Sequence, residues 1–490
     1  MNRRQMLKGV AATALVVGFD PAARRWVRAA EATDCGACPP FAHTPPLDGA
    51  LYTDLATREA DSTDQGNIVR QLPCAVLRTG SVKDIEKMIG FCREHQIKAA
   101  TRGQHHSTHG QGLTCGLIIE TGAFNRIHSI GPDSADVDAG VTWKELLLAA
   151  FEHGLKPRGV TGYAALSLGG TLSVGGCPMT NREGALVDHV RGLTVVTGRG
   201  DTVRCSKGER RELFEAVLAG LGQCGVITHV TVDLVPAKPL ARTYLLHYPD
   251  AAALFGDYRT LFNRGEFDEV YNVCVPPGSV PFVYQLNTTV FFDPAVPPDD
   301  AHLLRDLSLP QEAAVVQDRS YPDYALAVEE LFGFLKAAIS WDSLLKPWFD
   351  VWLPDSAVKQ YVSDAAAGLT QRDIGAGGFV LLFAQRRSKM TRPFFRVPPA
   401  EGEGWVWLFD TLTTSNVPGP DPDFVNEMLA RNRRLFERAR GVGGTRFPIG
   451  AQVFTREDWV RQYGETWAKF ARRKKKYDPD NILTLGPGIF

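Results

Sequence analysis

The chain has 490 residues, 44% of them apolar and 22% charged, enough to bury one large core and more naturally two. This excludes a fibre or a disordered tail. Lys and Arg number 54 against 55 Asp and Glu, a net charge of −1, so no global field favours nucleic acid or an anionic membrane surface, and a small molecule is the expected partner.

The N-terminus reads Asn2-Arg3-Arg4-Gln5-Met6-Leu7-Lys8 and runs into the apolar stretch Gly9 to Phe19. Paired arginines before such a stretch match a twin-arginine export signal, and the stretch falls short of the roughly 20 residues a spanning helix needs, so no membrane span is expected. Residues 1–32 are read as a signal peptide with Ala29, Ala30 and Ala32 as cleavage candidates. The mature protein is then periplasmic or secreted, carried already folded by the twin-arginine machinery. Nine cysteines include no second CxxC that would complete a four-thiolate site, so no metal is expected. Cys35 and Cys38 can close a local disulfide in an oxidising compartment, and most of the others suit small buried core positions.

After a Pro-rich lead-in, Ala75-Val76-Leu77 reads as a strand. Ser81 caps a helix whose apolar positions Val82, Ile85, Met88, Ile89 and Cys92 share one face. Ile97 to Thr101, Leu117 to Glu120 and Val137 to Ala139 supply further strands, and Trp143 to His153 a helix. Leu193 to Thr197 and Thr202 to Cys205 form a hairpin turned by Gly198-Arg199-Gly200, and Val226 to Leu234 adds one more strand before a boundary at Pro236 to Pro239. This is an α+β arrangement. From about 240 to 450 the character shifts to aromatic-rich segments separated by Pro clusters, the mark of a second domain. The basic run Arg472 to Lys476 reads as a solvated helix end.

Two polar, glycine-containing turns carry the chemistry. Thr101-Arg102-Gly103-Gln104-His105-His106-Ser107-Thr108-His109-Gly110-Gln111 lies between two strands, where backbone N–H groups can approach a pyrophosphate. Leu168 to Gly176, with hydroxyls at Ser167, Thr171 and Ser173, forms a second. Two such turns can hold both ends of an extended dinucleotide. The one-loop G-x-G-x-x-G fingerprint opening a helix is absent, which favours a flavin over a nicotinamide cofactor.

These segments, with Gly154 to Arg158, Val195 to Gly198, Leu218 to Thr228, Lys346-Pro347-Trp348-Phe349, Leu353 to Ser356 and Tyr477 to Phe490, resemble the cytokinin dehydrogenases over nearly the whole mature chain. The resemblance implies an α+β, two-domain PCMH-type FAD-binding fold of the vanillyl-alcohol-oxidase superfamily. Residues 45–238 with 452–490 would bind FAD, and residues 239–451 would form a substrate cap. It implies a covalent bond from His106 to the flavin 8α-methyl, which raises the flavin potential and keeps the cofactor on an exported protein. It further implies that Thr101, Gly103, Gln104, His105, Ser107, Gln111, Gly162, Ser167, Ser173, Cys177 and Ile227 surround the cofactor. His105 replaces a family glycine and is expected on the pyrophosphate side; His109 is expected to be an exposed loop residue. A second, cysteinyl link found in a related subgroup is not expected, because its position holds Tyr163.

The pattern departs from the family at the substrate. Gly162 in Val160-Thr161-Gly162-Tyr163 stands where a proton-accepting aspartate belongs, Tyr271 in Phe267-Asp268-Glu269-Val270-Tyr271 where a substrate-binding glutamate belongs, and the terminal Pro-Gly-Gln becomes Leu485-Gly486-Pro487. The expected pocket therefore lacks acids. Removing a general base typically costs about 10²–10⁴-fold in rate, so Tyr271 and then Tyr163 are the candidate catalytic groups, as phenolates, with pocket lining as their alternative role. The expected reaction is hydride removal from a C–N bond of a small amine, with dioxygen or a quinone as electron acceptor. Alternatives are an alcohol or secondary-metabolite oxidase on the same fold and, from another class, a flavin-carrying binding protein without turnover.

Overall fold

The computed structural model describes residues 16–20, 25–28, 38, 41 and 43–490 apart from 276–282 and 403. Arg3, Arg4 and the first part of the apolar run, the segment expected to be an export signal, lie outside these; Val16–Asp20 and Arg25–Arg28 pair as an antiparallel hairpin.

Three sheets organise the rest. The first has four strands, Ala50–Tyr52, Ala75–Arg78, Leu117–Glu120 and Ala99–Arg102 in spatial order. The pairings of Leu117–Glu120 with both its neighbours are parallel, which requires crossovers; one is the helix Val82–Glu94, capped by Ser81 through a capping box with Asp84. Its Ile85, Met88, Ile89 and Cys92 are buried, as the helical spacing requires. The second sheet is built on the hairpin Val190–Thr197 and Thr202–Ser206, extended by Gly225–Pro236, Ser134–Asp138 and Ile127–Ile130.

The third sheet is antiparallel throughout its eight strands, in the order Val315–Ser320, Leu240–Tyr248, Val283–Phe292, Glu269–Val275, Phe379–Arg386, Trp405–Leu412, Phe349–Pro354 and Thr445–Arg446. Gly225–Pro236 ends in the second sheet and Leu240–Tyr248 opens the third, so the chain changes sheet across the proline pair at 236 and 239.

The chain then returns. The helix Trp467–Tyr477 packs against Arg211–Val217, and residues beyond it run beside the first sheet: the Ala99 N–H donates to the Ile482 carbonyl at 2.7 Å and the Thr484 N–H to the Ala99 carbonyl at 2.7 Å. The basic run on that helix is not wholly solvated, which corrects the sequence expectation. Arg473 and Lys474 are 6% and 4% exposed, Arg473 pairing with Glu215 at 2.9 Å and Lys474 with Asp478 at 2.6 Å. The hydrophobic face beneath the run is wide enough to take in two of its five charges, each matched by a buried acid.

The cysteine pairing is also corrected. Cys38 bonds to Cys74 at the start of the first sheet, not to Cys35. Cys115 is disulfide-bonded as well, whereas Cys92, Cys177, Cys205, Cys224 and Cys274 are buried free thiols.

Candidate active site

A cavity of about 730 Å³ lies where the glycine-containing turns meet the eight-stranded sheet. It falls in the upper part of the roughly 300–1,000 Å³ range of small-molecule sites. All fourteen residues singled out from the sequence line it: Thr101, Gly103, Gln104, His105, His106, Ser107, Gln111, Gly162, Tyr163, Ser167, Ser173, Cys177, Ile227 and Tyr271.

The first turn is fixed from below by Asp64. Its carboxylate accepts hydrogen bonds from the Ser107 hydroxyl at 3.0 Å and from the N–H groups of Gly110 and Gly66 at 2.6 and 3.1 Å. Arg102 anchors the other end, donating to the Asp61 and Thr63 carbonyls at 2.6 and 2.8 Å. His105 takes a left-handed backbone, φ 56°, a conformation that favours glycine, and its ring turns toward Glu120 at 3.5 Å. The Gln111 side chain is occupied with the Ile449 carbonyl at 3.0 Å. His109 is buried, 7% exposed, rather than on the surface, because the segment around Ile449 closes over the turn.

The second turn approaches so closely that a Cβ on Gly103 would meet the Ser167 hydroxyl oxygen at 2.1 Å. The two turns thereby lie side by side, as cradling a dinucleotide requires. Gly162 is different: a Cβ there would touch only the Met179 side chain, at an ordinary 3.6 Å.

His106 sits between aromatic walls. Tyr163 stacks on it with centroids 5.0 Å apart, and Trp348 meets it edge-on at 5.5 Å. Burial, reinforced by the charges of Lys346 and Lys336, lowers its pKa to about 3, so the imidazole is neutral and carries a free lone pair. Lys346 is fully buried and donates to the carbonyls of Gln65, Leu344 and Asp342 at 2.9, 2.9 and 3.2 Å.

Opposite the turns, one face of the large sheet forms the wall through alternate residues: Tyr271 and Val273, Gln285 and Asn287, Phe379, Leu381 and Phe383, Leu408, Asp410 and Leu412. The helix Ala327–Ile339 covers the side with Val328, Leu331, Phe332 and Leu335. It is pinned to the loop beyond Tyr163 by Glu329, whose carboxylate accepts from the N–H groups of Ala164 and Ala165.

Two expectations change here. Burial raises the pKa of both Tyr271 and Tyr163, and for Tyr271 the nearby Glu269 adds to the effect, so each presents an O–H and neither rests as a phenolate base. Nor is the pocket without acids, since Asp350 and Asp410 both line it. Asp350 directly follows Lys346-Pro347-Trp348-Phe349, and the period-two alternation of a strand sets Trp348 and Asp350 on one side. That was the available signal; Asp410, alone in the apolar run Trp405 to Leu412, gave a second.

Comparison with known proteins fits this geometry. Residues 73–206 match the FAD binding domain family, and residues 257–490 match the family described as cytokinin dehydrogenase 1, FAD and cytokinin binding. Cytokinin dehydrogenase 1 of Oryza sativa subsp. japonica is 31% identical over an alignment covering 92% of this chain and 93% of that protein. The chain belongs to the cytokinin dehydrogenase family. Among other family relatives, cytokinin dehydrogenase 2 of Arabidopsis thaliana is 27% identical over 91% of this chain and 94% of its own length. An uncharacterized oxidoreductase, ORF5 in the fasciation locus of Rhodococcoides fascians, is 30% identical over 90% of this chain and 99% of its own. This cytokinin dehydrogenase relative is thus an FAD-linked oxidoreductase with a small-molecule binding domain. Among the described residues no helix is long and apolar enough to cross a membrane.

Proposed function

We propose that the protein oxidises a C–N bond of a small amine bearing an apolar group, using FAD held covalently by His106. FAD accepts the hydride in this chemistry; the residues around it bind, orient and exclude water. The observation that carries the reading is the placement of a neutral, buried His106 in the same cavity as both glycine turns and the apolar sheet face. A neutral imidazole is the form able to bond to carbon, and the Tyr163 and Trp348 walls fix its orientation.

The substrate end supports an amine with an apolar substituent. Leu331, Phe332, Leu335, Phe379 and Leu381 offer apolar surface, while Tyr271, Gln285 and Asn287 offer hydrogen bonds from one patch of the sheet. The cofactor residues are those carried over from the family pattern, and Gly162 is the position at which the family's proton-accepting carboxylate is replaced. Electrons pass on to dioxygen or a quinone. Export by the twin-arginine route is part of the same reading, supported by the Cys38–Cys74 disulfide, a bond at home in an oxidising compartment.

The test is anaerobic mixing of the purified protein with N6-isopentenyladenine while the visible flavin spectrum is followed. Bleaching establishes amine oxidation. A yellow protein that stays oxidised with this and other amines, and bleaches with alcohols, replaces the reading by an alcohol oxidase.

A further inference from the structure

Asp350 and Asp410 are directly opposite partners in the antiparallel pairing of Phe349–Pro354 with Trp405–Leu412. Residues so placed bring their Cβ atoms to within about 4.5–5.5 Å of each other. Both side chains face the cavity, at 0% and 4% exposure. Neither oxygen of Asp350, nor Oδ1 of Asp410, has a protein donor among the described residues, and the two carboxyls lie within hydrogen-bonding reach of each other. Two carboxylates hydrogen-bond only with a proton between them. Close like charges in a buried site cannot both ionise, and one proton is retained by the pair.

The surroundings maintain this arrangement. Gly450 leaves the space that Asp350 uses, because a Cβ there would fall 2.1 Å from its carboxylate oxygen. Among the described residues, Arg446, on the strand paired to the other side of Phe349–Pro354, and the buried Cys177 thiol are the charged or titratable groups that interact with the pair. Arg446 directs its Nη2 to the Gly450 carbonyl at 3.1 Å and forms no ion pair with either aspartate. Burial lifts both carboxyls, Asp350 to about 7, so the singly protonated state is held near neutrality.

We propose that Asp350 and Asp410 act as one shared-proton carboxylate pair that accepts the substrate's proton during oxidation. The inference rests on the amine-oxidation reading above. In the step, the substrate C–H bond would break and its hydrogen leave with the electron pair as hydride, for which a bound FAD would be the acceptor. The N–H bond breaks, its proton passes to the singly charged pair, and the C=N bond forms. The pair ends neutral and doubly protonated, and releases the proton to solvent before the next turnover.

The pair is tested first without substrate, by infrared titration of the resting holoprotein against Asp350→Asn and Asp410→Asn. The expected result is a protonated-carboxyl band at neutral pH that each substitution shifts or removes. Anaerobic flavin reduction by N6-isopentenyladenine is then followed across pH; each variant is expected to lose about 10²-fold or more in rate, with the acid limb displaced and the ratio of flavin to protein absorbance unchanged. A band untouched by either substitution, or a variant that reduces flavin at the parent rate with the parent pH profile, overturns the proposal. If the parent is not reduced by this amine, the substrate reading fails while the infrared result still decides the pair.

Discussion

The ring of Tyr163 lies on the imidazole of His106 with centroids 5.0 Å and planes 23° apart, and Phe332 meets that tyrosine edge-on at 5.1 Å. The contact links the cofactor turn to the helix over the substrate end. An aromatic pair of this kind contributes about 0.5–1.5 kcal/mol beyond its buried area. Tyr163→Phe keeps the ring and is expected to retain parental flavin attachment, while Tyr163→Ala is expected to slow attachment by up to about tenfold. His106→Ala is expected to bind FAD without a bond. Flavin fluorescence in a denaturing gel reports all three; a fluorescent His106→Ala band would assign the link elsewhere.

Gly162 has ordinary space for a side chain: a Cβ there would stand 3.6 Å from Met179, and no left-handed backbone opposes it. Gly162→Asp is therefore expected to fold with a parental melting temperature. In an Asp350→Asn background it is expected to restore at least about tenfold in the rate of flavin reduction by N6-isopentenyladenine, since a positioned base is worth about 10²–10⁴-fold. No gain would mean that a carboxylate at 162 does not reach the reacting nitrogen.

Asp350 has a folded pKa near 7 against an ordinary value of 3.8, so between these limits the native state binds more protons than the unfolded chain. Stability then falls as pH rises from about 4 to about 7 and levels above. The neutral amide in Asp350→Asn removes that contribution, and its melting temperature is expected to vary less over this window than the parent's. Equal slopes in the two proteins would show that the aspartate is ionised throughout.

Arg473 is 6% exposed and bonded to Glu215, which also pairs with Arg211 at 2.8 Å. Removing one member of a buried pair costs about 3–5 kcal/mol, reduced here because Glu215 keeps Arg211 and Lys469 as partners. Arg473→Ala is expected to lose about 2–3 kcal/mol in denaturant unfolding. A loss within about 0.5 kcal/mol would place the pair among ordinary surface bridges.

Much of the cofactor side was legible because local rules sufficed there. The helix after Ser81, the strand Leu117–Glu120 and the hairpin turned at Gly200 follow from capping, period and turn chemistry, and the glycine turns stand out by composition. The substrate side was not legible in the same way. Asp350 and Asp410 are 60 positions apart, each a single charge in an apolar strand, and only the register of Phe349–Pro354 against Trp405–Leu412 makes them a pair. Tyr271 was placed on the wall by its neighbours in the sequence, but the burial that holds its proton comes from residues folded around it. His109 reads as a polar loop residue until the Ile449 segment covers it.

The strip from Ile482 to Pro487 lies against Ala99 and supplies Thr484 and Pro487 to the cavity wall. Lys98 and Asn481, which touch across this seam, stand 383 positions apart. During synthesis the nearer wall therefore emerges long before the farther one, and the ribosome must finish Pro487 before the vessel is closed. A chain that has not reached residue 482 therefore lacks the part of the wall that Thr484 and Pro487 supply.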